Sequence, residues 1–290
     1  MSFTDRLAAR GAQVQACLDG VLADHGALPV VEGMRYATRG GKRLRGFLAM
    51  EAGALFGVPE ARSVRAAAAI EALHAYSLVH DDLPCMDDDD LRRGQPTVHR
   101  VWDEATAVLV GDALQTLAFE LLADEETHPD AAVRIRLVAG LAAAAGARGM
   151  VRGQAQDIAA ETAAAPLSLE EITELQANKT GALIRWPAEA GAILGRADPL
   201  PLRRFATALG LAFQIADDIL DVEGDAGRAG KKLRKDAAAG KATFVSLLGL
   251  DGARRRAGAL VAEAEAALAP YGARAETLRE AARFVISRDL

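Results

Sequence analysis

Cysteine, aromatic residues and strand-like alternation are all scarce in this chain, and each scarcity narrows what it can be. Only Cys17 and Cys85 occur among 290 residues. They build neither a disulfide framework nor a CxxC zinc site, so a reducing compartment is expected. Aromatic side chains make up 4% of the chain, and no β-branched run alternates with polar residues, so no strand is expected. A basic excess is missing too: the net charge of −6 and pI near 5.5 argue against a nucleic-acid partner. The segment Met1–Arg10 mixes Asp5 with Arg6 and has no apolar centre, so no signal peptide is expected. Apolar stretches such as Leu137–Ala147 fall below the ~20 residues a membrane span requires. A cytoplasmic protein without stable membrane insertion is the expectation.

What is present is helix-forming material. Ala, Leu, Arg and Glu dominate. Apolar residues recur at three- and four-residue steps in Ala66–His80, Ala105–Leu122 and Arg203–Leu220. Breakers fall between such segments, at Gly57-Val58-Pro59, Arg93-Gly94-Gln95-Pro96, His128-Pro129, Ala165-Pro166, Asp198-Pro199 and Gly224–Gly230. Ser168 followed by Glu170 and Glu171 reads as a helix start. The 51% hydrophobic content supports a large core, and no long linker divides the chain. One all-α domain over residues 1–290, with short connections between antiparallel helices, is expected.

Two acidic clusters stand out. The first runs Asp81-Asp82-Leu83-Pro84-Cys85-Met86-Asp87-Asp88-Asp89-Asp90, and the second is Asp217-Asp218-Ile219-Leu220-Asp221. Each follows an apolar helical run. Asp217 and Asp221 share one helix face, where two like charges repel unless a cation lies between them. Asp81 and Asp87 would diverge on a continuous helix, but Pro84 disfavours one, and a local break could turn Asp87 back towards Asp81. A run of Asp is by itself most often a solvated face. Here the clusters adjoin apolar helix, lack the central Gly and closing Glu of an EF-hand, and offer oxygen alone. That chemistry points to Mg²⁺ or Mn²⁺ shared with a phosphorylated substrate. Basic residues that could hold such an anion occur in Gly40–Arg45, at Arg92 and Arg93, in Asn178–Gly181 and from Lys231 to Lys241.

The stretches GGKRLRG (Gly40–Gly46), HAYSLVHDDLPCMDDDDLRRGQPTVH (His74–His99), GQAQD (Gly153–Asp157), KTGALIR (Lys179–Arg185), FQIADDILD (Phe213–Asp221) and GKATFVSLLGL (Gly240–Leu250), in this order, resemble the trans-isoprenyl diphosphate synthases, closest to the bacterial farnesyl diphosphate synthases. The resemblance implies an isoprenoid-synthase-type helical bundle around a central cavity, usually a homodimer. It implies three Mg²⁺ ions, with Mn²⁺ as a substitute: Asp81 and Asp87 would hold two, Asp217 the third, and Asp82, Asp218 and Asp221 would contribute directly or through water. Arg92, Lys179, Lys231 and Lys241 would contact the allylic diphosphate; Lys42, Arg45, His74 and Arg93 would bind isopentenyl diphosphate. The Lys179 carbonyl, Thr180 and Gln214 would face the carbocation formed when diphosphate leaves. His80 and Cys85 are taken as structural.

By the same resemblance, Tyr76, with Ser77 beside it, would set product length, and an aromatic at Tyr76 implies the fifteen-carbon product. The sequence departs from the family at Gly230–Asp236, where Arg234 replaces a glycine, which puts the roles of Lys231 and Lys235 in question. The ending Arg288-Asp289-Leu290 is less basic than tails that cover the second substrate. Geranylgeranyl diphosphate synthesis is the alternative. A non-catalytic modulating subunit is disfavoured by two intact acidic motifs, and a terpene cyclase by the low aromatic content and the Lys42/Arg45/His74 set.

Overall fold

Alanine and leucine at helical spacing fold into helices along the described chain. The computed structural model describes residues 1–163, 165–223 and 242–287. Backbone contacts divide it into two compact units, residues 1–139 with 193–197, and the remainder.

The first unit begins with α1 (Phe3–Ala23), opened by a capping box in which Ser2 and Asp5 each bond the other's backbone N–H. Then come α2 (Pro29–Ala37), α3 (Leu44–Leu55) and α4 (Glu60–Asp81). Helix α4 is the innermost: Ala66, Ala67, Ala68, Ala69, Ile70 and Leu73 are fully buried, and the small alanines let α1, α3 and α6 approach. After α4 a hairpin of β1 (Leu91–Arg92) and β2 (Gln95–Pro96) pairs Leu91 with Pro96. Its turn places Arg93 at φ 54 and Gly94 at φ 75, the double positive φ that two-residue hairpins favour. This corrects the expectation of no strand; two-residue strands carry no alternation to read. Helices α5 (Val98–Val101) and α6 (Glu104–Ala123) follow. Among the described residues the one helix long and apolar enough to pass as a membrane span is α6, not the Leu137–Ala147 stretch. Its apolar window is 44% buried, and it packs on α4 and α2.

The division between the units falls within α7 (Ala131–Ala145). The second unit carries α8 (Met150–Glu161) and α9 (Leu169–Gln176), the latter started by a Ser168/Glu171 capping box. A π-helical turn, Ala177–Gly181, leads into α10 (Ala182–Leu194). Helix α11 (Leu200–Glu223) packs chiefly on α12 (Phe244–Ala267), and α13 (Glu276–Ser287) ends the described chain.

Candidate active site

Helix α4 stops at Asp81, and the chain turns tightly where Pro84 predicts a break. Met86 N–H donates to the Leu83 carbonyl at 2.8 Å, and Asp87 N–H donates to the Asp81 carbonyl at 2.8 Å. Asp87 is thereby folded back onto Asp81. Asp87 is exposed and Asp81 half-buried, whereas Asp82 is only 3% exposed. The Asp82 carboxylate accepts from Arg92 Nε at 2.9 Å and from its Nη2 as well. Burial pushes the Asp82 carboxyl up, and the Arg92 guanidinium pulls it back. The forked contact favours the ionised pair. Asp82, expected among the metal ligands, is thus turned towards Arg92.

Four arginines of this unit, Arg45, Arg93, Arg43 and Arg92, lie near enough to His74 of α4 to act on its charge. Burial, then the charges of Arg45, Arg93, Arg43 and Arg92, hold the His74 imidazole well below its ordinary 6.5. Arg93 donates to the Arg39 carbonyl at 3.1 Å, its guanidinium lying against Gly41. Lys42 is exposed beside them on the Gly40–Arg43 loop. A cavity of about 200 Å³ opens between α2, α4 and the hairpin, with Gly40, Gly41, Asp82, Arg92 and Arg93 in its wall.

The low pKa makes His74 neutral, which gives a pH prediction. A group whose folded pKa lies below its unfolded value stabilises the protein above the unfolded pKa, and that stability is lost as pH falls towards the folded one. In ligand-free protein the His74 ring should therefore show no NMR titration between about pH 6 and 8, and Tm should decline below about pH 6.5. An imidazole titrating near 6.5 would contradict the half-buried, arginine-flanked environment.

Below Asp81 on α4, Ser77 is 8% exposed and donates to the His74 carbonyl at 2.9 Å. Tyr76 is 7% exposed and meets the His80 ring edge-on, centroids 5.4 Å apart. Burial raises the Tyr76 phenol, while a hydrogen bond to Gln115 of α6 opposes the rise. His80 Nε2 lies 3.1 Å from the Val108 carbonyl, and a Cβ added at Gly111 would lie 2.0 Å from that nitrogen. Glycine is required there for His80 to reach α6. His80 thus joins α4 to α6 and braces Tyr76.

In the second unit the π-helical turn presents Lys179 and Thr180, both half-buried. Such turns displace side chains from regular helical positions and often mark functional sites. The turn presses on α8 so closely that a Cβ at Gly153 would lie 2.1 Å from the Lys179 nitrogen. Lys179 Nζ meets Asp157 at 2.7 Å, Asn178 donates to Gln156 at 3.0 Å, and Gln214 of α11 donates to Gln176 at 2.7 Å. Asp217 and Asp221 are half-buried on α11, while Asp218 is 9% exposed and accepts the Phe244 N–H at 2.7 Å, at the start of α12. Lys231, Lys235 and Lys241, with Arg234 and Arg288–Leu290, lie outside the described residues.

Both motifs offer hard carboxylate oxygens, a donor set suited to Mg²⁺. Among the described residues no three His, Cys, Asp or Glu side chains gather into one cluster. The acids come in pairs, and Mg²⁺ usually takes one or two carboxylates with substrate phosphates. The residues fit the ion.

Residues 30–269 match the profile of the family Polyprenyl synthetase. The chain belongs to this family. A curated relative from Escherichia coli (strain K12), a farnesyl diphosphate synthase, is 48% identical over 248 residues, 83% of this chain and 82% of the relative. A chloroplastic geranylgeranyl pyrophosphate synthase of Catharanthus roseus is 41% identical over 95% of this chain and 78% of its own length. The apo crystal structure of an FPP/GFPP synthase from Zymomonas mobilis superposes with TM-score 0.87 at 49% identity, covering 96% of this chain and 98% of that one. In this polyprenyl synthetase, sequence reasoning missed partners of the expected site residues within each unit: Gln115, which bonds Tyr76 in the first, and Gln176 and the Asp157 carboxylate, which bond Gln214 and Lys179 in the second. The GQAQD motif contained the signal for Asp157, but only the packing of α8 on the π turn shows that it holds Lys179.

Proposed function

We propose that this polyprenyl synthetase is a trans-prenyltransferase that condenses dimethylallyl or geranyl diphosphate with isopentenyl diphosphate to give farnesyl diphosphate. The observation that carries this reading is the convergence of Arg45 and Arg93 on His74, beside the first acidic motif. A second anion pocket next to a metal motif suits two diphosphate substrates; a cyclase, with one, has no use for it.

In this reading Asp81 and Asp87 would hold two Mg²⁺ ions and Asp217 a third, with Asp218 and Asp221 in support, and the bound metal would supply charge neutralisation for the departing diphosphate. Lys179, held by Asp157, and Arg92, held by Asp82, bind the allylic diphosphate as preorganised cations; Lys231 and Lys241 complete that set. Lys42, Arg45, Arg93 and neutral His74 bind isopentenyl diphosphate. The Lys179 carbonyl, Thr180 and Gln214 face the allylic cation, which the double bond of isopentenyl diphosphate attacks. A proton then leaves to the departed diphosphate, so no side-chain base is required. We read residues 1–290 as one functional domain, since the family match runs through both units. The enzyme is cytoplasmic and homodimeric in this proposal. Val108 and Leu109, neighbours on α6 exposed by 41% and 57%, offer apolar surface to a second copy.

The test is incubation of purified protein with labelled isopentenyl diphosphate and each starter, with Mg²⁺ or with chelator. A fifteen-carbon diphosphate formed only with Mg²⁺ is expected. No consumption of isopentenyl diphosphate with either starter would remove the reading, and a twenty-carbon main product would replace it with the geranylgeranyl alternative.

A further inference from the structure

Arg43 and Glu71 have no role in the assignments above, yet they form a deeply enclosed ion pair. Their side chains are 5% and 3% exposed, with Arg43 Nη1 3.4 Å from Glu71 Oε2. Arg43 sits at φ 53 at the head of α3. Its guanidinium donates to the Thr38 carbonyl after α2 and, at 2.5 Å, to Gln15 Oε1 on α1. The other oxygen of Glu71 accepts the Gly46 N–H at 2.8 Å, in the first turn of α3. One buried carboxylate on α4 therefore ties down both sides of the bend that carries Lys42 and Arg45. Glu71 also lies three residues before His74, on the same helix face.

Fold stability does not account for this arrangement. A buried ion pair is often neutral or unfavourable against apolar residues of similar volume. A non-glycine residue at positive φ adds strain, and such strain gathers at functional sites. Arg93 feels the same pair: burial and Arg43 lower its pKa, while Glu71 opposes them. Glu71 is thus the counter-charge inside the cation group.

We infer that Glu71 and Arg43 are positioning residues for the isopentenyl diphosphate site, a clamp that holds the Lys42–Arg45 bend in fixed register with His74. The inference rests on the prenyltransferase reading and assigns these residues to one of its two substrates. Glu71→Gln keeps an acceptor for Gly46 and removes the charge facing Arg43. The KM for isopentenyl diphosphate should rise about tenfold while the allylic KM stays within about twofold, a split that a general loss of stability would not produce. Glu71→Asp, which restores the charge, should fall between the two. Equal changes in both KM values, or no change, would overturn the inference. If Glu71→Gln does not fold, Arg43→Lys, which keeps the charge but loses the fork to Thr38 and Gln15, carries the same test. A wild-type enzyme that consumes no isopentenyl diphosphate would remove the prenyltransferase reading itself, whereas an active wild type with no KM split in the variant removes only the clamp.

Discussion

Asp81→Asn should lower kcat by roughly a thousandfold or more, with Tm unchanged or slightly raised. Asp81 ends α4, where the negative end of the helix dipole already disfavours a carboxylate. Asp87 is folded back beside it, and Asp88, Asp89 and Asp90 follow in the chain. Removing one charge from such a group relieves repulsion, so the acid is retained at the expense of stability. Asp82→Asn should behave in the opposite way in calorimetry. It strips Arg92, 34% exposed, of its forked partner and leaves it the longer 3.4 Å contact to Asp89; a loss of about 1–3 kcal/mol is expected after allowing for water reaching the guanidinium. That corresponds to a drop in Tm of roughly 2–10 °C. Steady-state kinetics in Mg²⁺ and scanning calorimetry on the two variants check the contrast. Near-wild-type kcat in Asp81→Asn, or a raised Tm in Asp82→Asn, would refute it.

The second motif repeats the division of labour. Asp217 and Asp221 remain half-buried on α11, while Asp218 is enclosed and caps α12 through Phe244 N–H. In both motifs the middle acid fixes a neighbouring element and the outer acids stay accessible. Spacing alone could place Asp217 and Asp221 on one face and could foresee the break at Pro84. It could not show which acid would be buried, because that depends on Arg92 and Phe244, which approach from elsewhere in the chain. The same limit explains the other gaps. Periodicity located α4, α6 and α11, and turn residues located the boundaries at Pro59, Pro129, Pro166 and Pro199, since both are local properties. The hairpin at Arg93-Gly94 was hidden by its two-residue strands. The π turn at Ala177–Gly181 has no composition of its own; it lies where Gly153 lets α8 press against Lys179. His80 and Gln115 brace Tyr76 only because Gly111 admits an imidazole, a fact about two helices together. Glu71, apart from its neighbours in sequence, reads as an ordinary surface glutamate.

Tyr76→Ala should shift the main product from fifteen carbons to twenty or more. Ser77 lies one turn below Asp81 on nearly the same face of α4, and Tyr76 is its neighbour, roughly 7–8 Å along the helix from Asp81 at 1.5 Å per residue. On the proposed reading, a prenyl tail extending from a diphosphate held at Asp81 would pass this level of the helix. The Tyr76 ring is held on two sides, by the edge-on His80 imidazole and by the hydrogen bond to Gln115. A fixed ring stops growth more sharply than a mobile one, so the bracing matters as well as the bulk. Gly111→Ala separates the two contributions. Its new methyl would lie 2.0 Å from His80 Nε2, so the imidazole must move away while Tyr76 itself remains. A mixed product, mostly fifteen carbons with a twenty-carbon fraction, is expected from Gly111→Ala, against nearly complete lengthening from Tyr76→Ala. Chromatography of dephosphorylated products reads both. If Tyr76→Ala still stops at fifteen carbons, the floor lies elsewhere. If it lengthens the product while Gly111→Ala does not, bulk alone sets the limit and the brace from α6 plays no part.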